Sequence, residues 1–202
     1  MSEDISEKKW WLRRVAYDAR DAEKNKDLAS AIICRRFTSL PEYASAATVM
    51  CYLHCRSEVR TLRVVNSALE RGKQLIVPYC TKDESGHNML GLWRLGSLDE
   101  LAPGTWNILE PPRERWGEAG KEAVPEELDL IMVPGVAFDR RGGRLGNGQG
   151  YYDRLLSRVR SDAVLAGVCY ESQLFDRIPM GPHDVCVNRI LTEKAMYGLE
   201  EA

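Results

Sequence analysis

The stretch LDLIMVPGVAFDRRGGRLGNGQGYYDRLL, residues 128–156, decides how the chain is read. Its opening, LDLIMVPG, is an almost continuous apolar run of strand length, which suits a strand buried on both faces. Glycines then stand at 142, 143, 146, 148 and 150, and helical spacing resumes in YYDRLLSRV. Glycine permits positive φ and lets a ligand approach the backbone closely. Consecutive backbone N–H groups ending at a helix N-terminus attract anions. Arg140, Arg141 and Arg144 add full positive charge beside them. Strand, glycine loop and helix follow in the order a phosphate site needs; a plain flexible turn is the competing reading. The common nucleotide loops do not fit. No Gly-Lys-Ser/Thr tripeptide is present, and a GxGxxG begun at Gly146 would need glycine where Tyr151 stands. The residues alone give a phosphate or another anion.

The flanking sequence sets this segment in an α/β domain. Residues 6–22 and 27–37 read as helices, 47–53 as a strand, and 59–72 as a helix capped by Gly72. Strands follow at 73–80 and 89–95, and two more at 163–170 and 189–193. Ser97 and Glu100 form a capping box for a short helix. Residues 102–126, rich in Pro, Gly and Glu, read as loop. Apolar strands alternating with helices specify a mainly parallel sheet with helices on both faces. Ligands bind beyond the carboxyl ends of such strands, where the glycine segment falls.

Bulk composition narrows the function. The chain has 202 residues, 44% of them hydrophobic, enough for one domain with a substantial core. A formal net charge of -2 argues against a broad basic surface for nucleic acid. No apolar run approaches the roughly 20 residues of a membrane helix, and the N-terminus lacks a signal-type apolar stretch. A cytoplasmic protein is expected. The six cysteines have no disulfide-framework spacing and read as reduced. Cys51 and Cys55 flank His54 in what reads as one strand, which would hold them about 13 Å apart, too far to share a metal.

The pattern Pro-Gly-x-x-Phe-Asp, followed by Arg-Leu-Gly-x-Gly-x-Gly-Tyr-Tyr-Asp, resembles the 5-formyltetrahydrofolate cyclo-ligase family. The likeness extends to KKWWLR with Lys9 and Arg13, to SEVRT (57–61), to TWNILEP (105–111) and to RIPMGPHDVCVNRILTE (177–193). It implies a single three-layer, Rossmann-like α/β domain spanning 1–202. It also implies ATP- and magnesium-dependent conversion of 5-formyltetrahydrofolate to 5,10-methenyltetrahydrofolate, with release of ADP and phosphate. By resemblance, ATP falls on Lys9, Arg13, Arg144, Leu145, Gly146, Asn147, Gly148, Gln149, Gly150, Tyr151 and Tyr152. Folate falls on Leu53, Glu58, Trp106 and the overlapping 147–151, and magnesium on Asp153 and Asp184. Arg144, Tyr151 and Asp153 form the implied catalytic set. The expected partners are these small molecules, with no nucleic acid and no membrane, acting on a monomer.

Two residues depart from the family pattern. Gln149 stands where many members carry lysine, and Asn188 where aspartate is usual. A helix begun near Gly148 would set Gln149 and Asp153 on one face, both near the phosphates. The departures keep two alternatives open: a non-catalytic folate- or nucleotide-binding relative, or ATP-dependent activation of another formyl or amide compound.

Overall fold

The fold is seen in a computed structural model that describes residues 5–104 and 107–198. The first half holds α1 (Ile5–Ala22), α2 (Lys26–Thr38), one-turn α3 (Pro41–Ser45), β1 (Thr48–Cys51), α4 (Leu62–Glu70), β2 (Gln74–Lys82), β3 (Asn88–Leu95), β4 (Ala102–Pro103) and β5 (Leu109–Glu110). The second half holds β6 (Leu130–Pro134), β7 (Ala137–Asp139), β8 (Arg144–Leu145), α5 (Tyr151–Leu156), β9 (Val164–Val168), β10 (Leu174–Phe175), β11 (Arg189–Leu191) and β12 (Met196–Gly198).

A seven-stranded sheet runs β12–β11–β9–β6–β1–β2–β3. Its five inner strands are parallel, and β3 and β12 close the two edges antiparallel. This is a mixed α/β fold with a large, mainly parallel sheet. Every residue of β1 is buried, as are the first four of β6, so both faces of the centre are covered. Alternation divides the strand residues between two clusters. Val49, Cys51, Leu130 and Met132 pack with Ile33 and Phe37 of α2 and Val64, Val65 and Ala68 of α4. Met50, Ile76, Ile131 and Val133 pack with Leu155 and Leu156 of α5. Ala16 of α1 sits in a smaller cluster with Val136, Ala137, Leu145 and Ile178. Each fully buried aliphatic side chain contributes about 1.5–3 kcal/mol.

The chain leaves β1 for β2 on one side, and β6 returns on the other, so the connections diverge between β1 and β6. In parallel sheets that point is where a crevice opens beyond the carboxyl ends. No helix among the described residues is long and apolar enough to cross a membrane.

Several expected boundaries move. Helix α4 starts at Leu62, because the Thr61 hydroxyl donates to the Tyr52 carbonyl (2.6 Å) and holds 59–61 as loop. Strand β1 ends at Cys51, so Cys55 lies in the following loop and not on one strand with it; all six cysteines are free. Residues 102–126 carry the short β4–β5 ladder and two three-residue 3-10 turns. The glycine-rich segment contains β7 and β8, which join β10 in a small second sheet. The Gly72 cap stands, with φ of +67° and the Lys73 amide bonded to the Ala68 carbonyl at 3.0 Å. So does the Ser97–Glu100 capping box, on a 3-10 turn.

Phe138 locks the small sheet to the large one. A Cβ added to Gly167 of β9 would stand 2.6 Å from its ring, and one at Gly135 2.5 Å. Gly167→Ala is expected to destabilise the fold by roughly 1–3 kcal/mol through overpacking. Phe138→Leu in the same chain should recover part of that loss, so the double variant costs less than the sum. Urea midpoints of the three variants check this; strictly additive losses would show that the ring and the glycine are not in contact.

Candidate functional site

A cavity of about 320 Å³ opens at the divergence between β1 and β6, within the size range of small-molecule sites. Tyr52 and Leu53, which follow β1, and Pro134 and Gly135, which end β6, form its floor. The glycine loop 146–150 and the first turn of α5 cover one side.

The charged wall is assembled from three distant segments. Arg144 arrives on β8 with its side chain only 2% exposed, and its Nη2 donates to Asp153 Oδ1 at 2.7 Å. The face of Tyr152 lies 5.7 Å from its guanidinium carbon. Asp153 Oδ1 also accepts the Val185 amide (3.3 Å), which brings the neighbouring Asp184 to the same wall. Asp184 pairs with Lys9 of α1 and accepts the Gly181 amide. Burial works against its charge, yet the Gly181 amide and the Lys9 and Arg144 cations hold the Asp184 carboxyl below the usual range.

Helix α1 meets the loop along one face. Lys9, Arg13 and Tyr17 are spaced four apart and so lie in a row. Arg13 Nε donates to the Gly146 carbonyl at 2.8 Å, and the Tyr17 hydroxyl donates to Asn147 Oδ1. Gly148 (φ +91°) and Gly150 (φ +68°) occupy the left-handed region, and a Cβ on Gly148 would press on the Arg13 guanidinium at 3.4 Å.

Helix α5 begins at Tyr151, not near Gly148, because Gly150 in its left-handed conformation ends the loop. Gln149 therefore does not share a helical face with Asp153. It remains on the cavity wall, with its Oε1 accepting from Asn88 Nδ2 (3.2 Å) and its carbonyl accepting from Arg154 Nη2 (2.6 Å). Asn188 is far from this chemistry. Its Oδ1 accepts the Leu165 amide at 2.8 Å, a backbone role that an aspartate would fill equally well.

Much of the remaining lining is apolar: Pro78, Tyr79, Leu90, Ile108 and Tyr151, together with Cys80 and the carboxylates of Glu58 and Glu110. Burial and the Cys80 thiol hold the Tyr151 phenol above its ordinary value, so it stays a proton donor. Burial pushes the Glu58 carboxyl above the usual carboxylate range, against the opposing pull of the Cys55 amide and Arg20.

Every site residue inferred from the sequence lines this one cavity, except Trp106, which lies outside the described residues. Tyr52, Tyr79, Cys80 and Glu110 line it as well and were not singled out by sequence. Tyr79 and Cys80 sit on a strand, where a cavity wall and a core position carry the same residue types.

The profile of the 5-formyltetrahydrofolate cyclo-ligase family matches residues 5–193. The chain belongs to that family. A 5-formyltetrahydrofolate cyclo-ligase of Mycolicibacterium smegmatis is 34% identical over 150 residues, covering 74% of this chain and 75% of that one. The mouse (Mus musculus) protein of the same description is 31% identical over 172 residues, covering 81% and 82%. The solved structure of an Aquifex aeolicus 5,10-methenyltetrahydrofolate synthetase superposes with a TM-score of 0.79 at 34% identity, covering 96% of this chain and 94% of that one.

The raised Glu58 value has a stability consequence. The folded chain holds this proton more tightly than the unfolded one. Stability is therefore present at low pH and is lost as pH rises from the ordinary carboxylate value to the raised one. Glu58→Gln removes that loss. The variant should melt higher than the parent at neutral pH, with the gap closing as pH falls into the ordinary carboxylate range. A gap that is constant from pH 4 to 8 would contradict a raised Glu58.

Proposed function

We propose that this cavity binds ATP with magnesium beside 5-formyltetrahydrofolate and closes the ring to 5,10-methenyltetrahydrofolate, releasing ADP and phosphate. One observation carries the reading: residues spread from Lys9 to Asp184, inferred from family motifs, converge on a single cavity.

The two sides of the cavity suit the two substrates. A pterin needs an apolar slot with a few polar partners, and Leu53, Glu58, Tyr79 and Leu90 offer one. A triphosphate needs cations and donors, and Lys9, Arg13 and Arg144 offer them. Arg144 Nε is buried with no acceptor among the described residues. A buried donor left unpaired costs about 1–3 kcal/mol, which an anionic ligand oxygen would relieve.

The residues present also fit magnesium. It takes one or two carboxylates and completes its shell with phosphate and water oxygens. Asp153 and Asp184 are such a pair, and no three His, Cys, Asp or Glu side chains cluster as a metal site among the described residues. When bound there, the ion would neutralise charge on the transferring phosphoryl group. In the reaction, the formyl oxygen takes the γ-phosphoryl group and ADP departs. Nitrogen 10 then attacks the activated carbon, phosphate leaves, and nitrogen 10 gives up its proton. Arg144 is placed to stabilise the charge on the transferring group, and the Tyr151 phenol to donate a hydrogen bond to it.

Lys9 and Arg144 each pair with one of the two carboxylates. Asp153 and Asp184 would hold the ion, leaving Lys9 and Arg144 free to meet the phosphates, so nucleotide and cation would bind as a unit. ATP should bind far more weakly in EDTA than with magnesium.

The deciding assay combines 5-formyltetrahydrofolate with Mg-ATP and follows the ultraviolet absorbance of the methenyl product. One ADP per product is expected. Binding of both substrates without product would favour the non-catalytic relative, and ATP turnover indifferent to folate would favour another activated compound. Asp153→Asn and Asp184→Asn should each raise the magnesium requirement and slow turnover at least about tenfold, about 1.4 kcal/mol. Together they should cost less than their sum, since both serve one ion. Additive losses at an unchanged magnesium requirement would break the shared-ion assignment.

A further inference from the structure

We propose that Asp139, which does not line the cavity, is the positioning residue for nucleotide binding: one buried carboxylate sets both the turn that delivers Arg144 and the segment that carries Asp184. The proposal rests on the reading of the cavity as a Mg-ATP site.

Asp139 ends β7 and is 2% exposed. Its Oδ1 accepts the amides of Arg141 (2.9 Å) and Gly143 (3.0 Å), and its own amide bonds the Gly143 carbonyl at 2.9 Å. These bonds fix the tight turn between β7 and β8, and Arg144 is the next residue. Its other oxygen, Oδ2, accepts the Ile178 amide at 2.7 Å, across a separation of 39 residues. A second tether runs from the same turn, where the Gly142 carbonyl accepts the Val187 amide at 2.9 Å. The segment 178–187 is thus pinned to the turn at both ends, and Asp184 lies between the pins. Arg144 and Asp184 come from segments 40 residues apart in sequence; one side chain and one peptide hold the two segments together from behind, and the Asp153–Val185 bond joins them at the cavity.

Both oxygens of Asp139 are acceptors, and an amide cannot reproduce that. In Asp139→Asn, one position becomes an NH₂ facing a backbone N–H, whichever way the amide turns. Either the Arg144 turn or the Ile178 tether must then shift. Misplacement of a binding group by about 1 Å costs on the order of a hundredfold.

Asp129 supplies the control. It also accepts backbone amides, those of Ala47 (2.9 Å) and Thr48 (2.8 Å), and it pairs with Arg160. It precedes β6, at the end of the sheet away from the cavity. Asp129→Ala removes all of those acceptors and should lower the melting temperature while leaving ligand binding intact.

The experiment measures Mg-ATP affinity by calorimetry, melting temperature, and amide hydrogen exchange for both variants and the parent. For Asp139→Asn we expect Mg-ATP affinity to fall at least about tenfold. The kinetic loss should fall mainly in KM for ATP, with KM for the folate nearly unchanged. Exchange should quicken at 140–144 and 178–187. For Asp129→Ala we expect a comparable melting loss with Mg-ATP affinity unchanged. Equal affinity in Asp139→Asn and the parent, or affinity lost equally in both variants, would overturn the proposal. A parent that binds no Mg-ATP would refute the functional reading instead. In that case the exchange data still judge Asp139, because unchanged protection at 178–187 would remove its positioning role.

Discussion

A full positive charge held out of water is the constraint on which this site depends. The Arg144 side chain, which carries a full guanidinium charge, is 2% exposed. A buried charge of this kind is tolerated only when it is paired. Asp153, in the first turn of α5, supplies the pair. The same carboxylate oxygen accepts the Val185 amide, so the C-terminal segment is drawn in by the same requirement. The first turn of α5 and the returning segment thus meet at one ion pair.

The sheet explains why that charge can sit there at all. Between β1 and β6 the connections part, leaving space that neither side of the sheet fills. On the floor of that space are Gly135, Pro134, Tyr52 and Leu53, none of them charged. Side chains delivered from β8 and α1 project over this floor instead of into the core. Tyr52, Leu53 and Tyr79 of one core cluster and Leu90 of the other also line the opening, so packing on both faces holds its walls in place.

Much of this was legible in the chain. Continuous apolar runs such as LDLIMV and AVLAGV marked the parallel strands, and the glycine motif marked the loop. Strand direction was not legible: NMLGLWRL of β3 has the same composition whether it runs with or against β2. The small sheet of β7, β8 and β10 was hidden because strands of two or three residues show no periodicity. The start of α5 was misplaced because only the left-handed φ of Gly150 distinguishes a loop end from a helix residue. The pairing of Lys9 with Asp184 spans 175 residues, beyond any local pattern. Glu110 and Tyr79 were missed because the lining of a cavity reads like the interior.

That long span bears on how the protein comes into being. At about 5–20 residues per second, Asp184 leaves the ribosome roughly 10–35 s after Lys9. During that interval the inner strands up to β6 and the helices over them have all they need to pack, while α1 lacks its partner on the far segment. The Lys9–Asp184 pair therefore forms only after the C-terminal segment has been made. A nascent chain that stops short of Asp184 has most of the scaffold and the Arg144–Asp153 pair but lacks the Lys9–Asp184 pair, so synthesis itself times the closing of the charged wall.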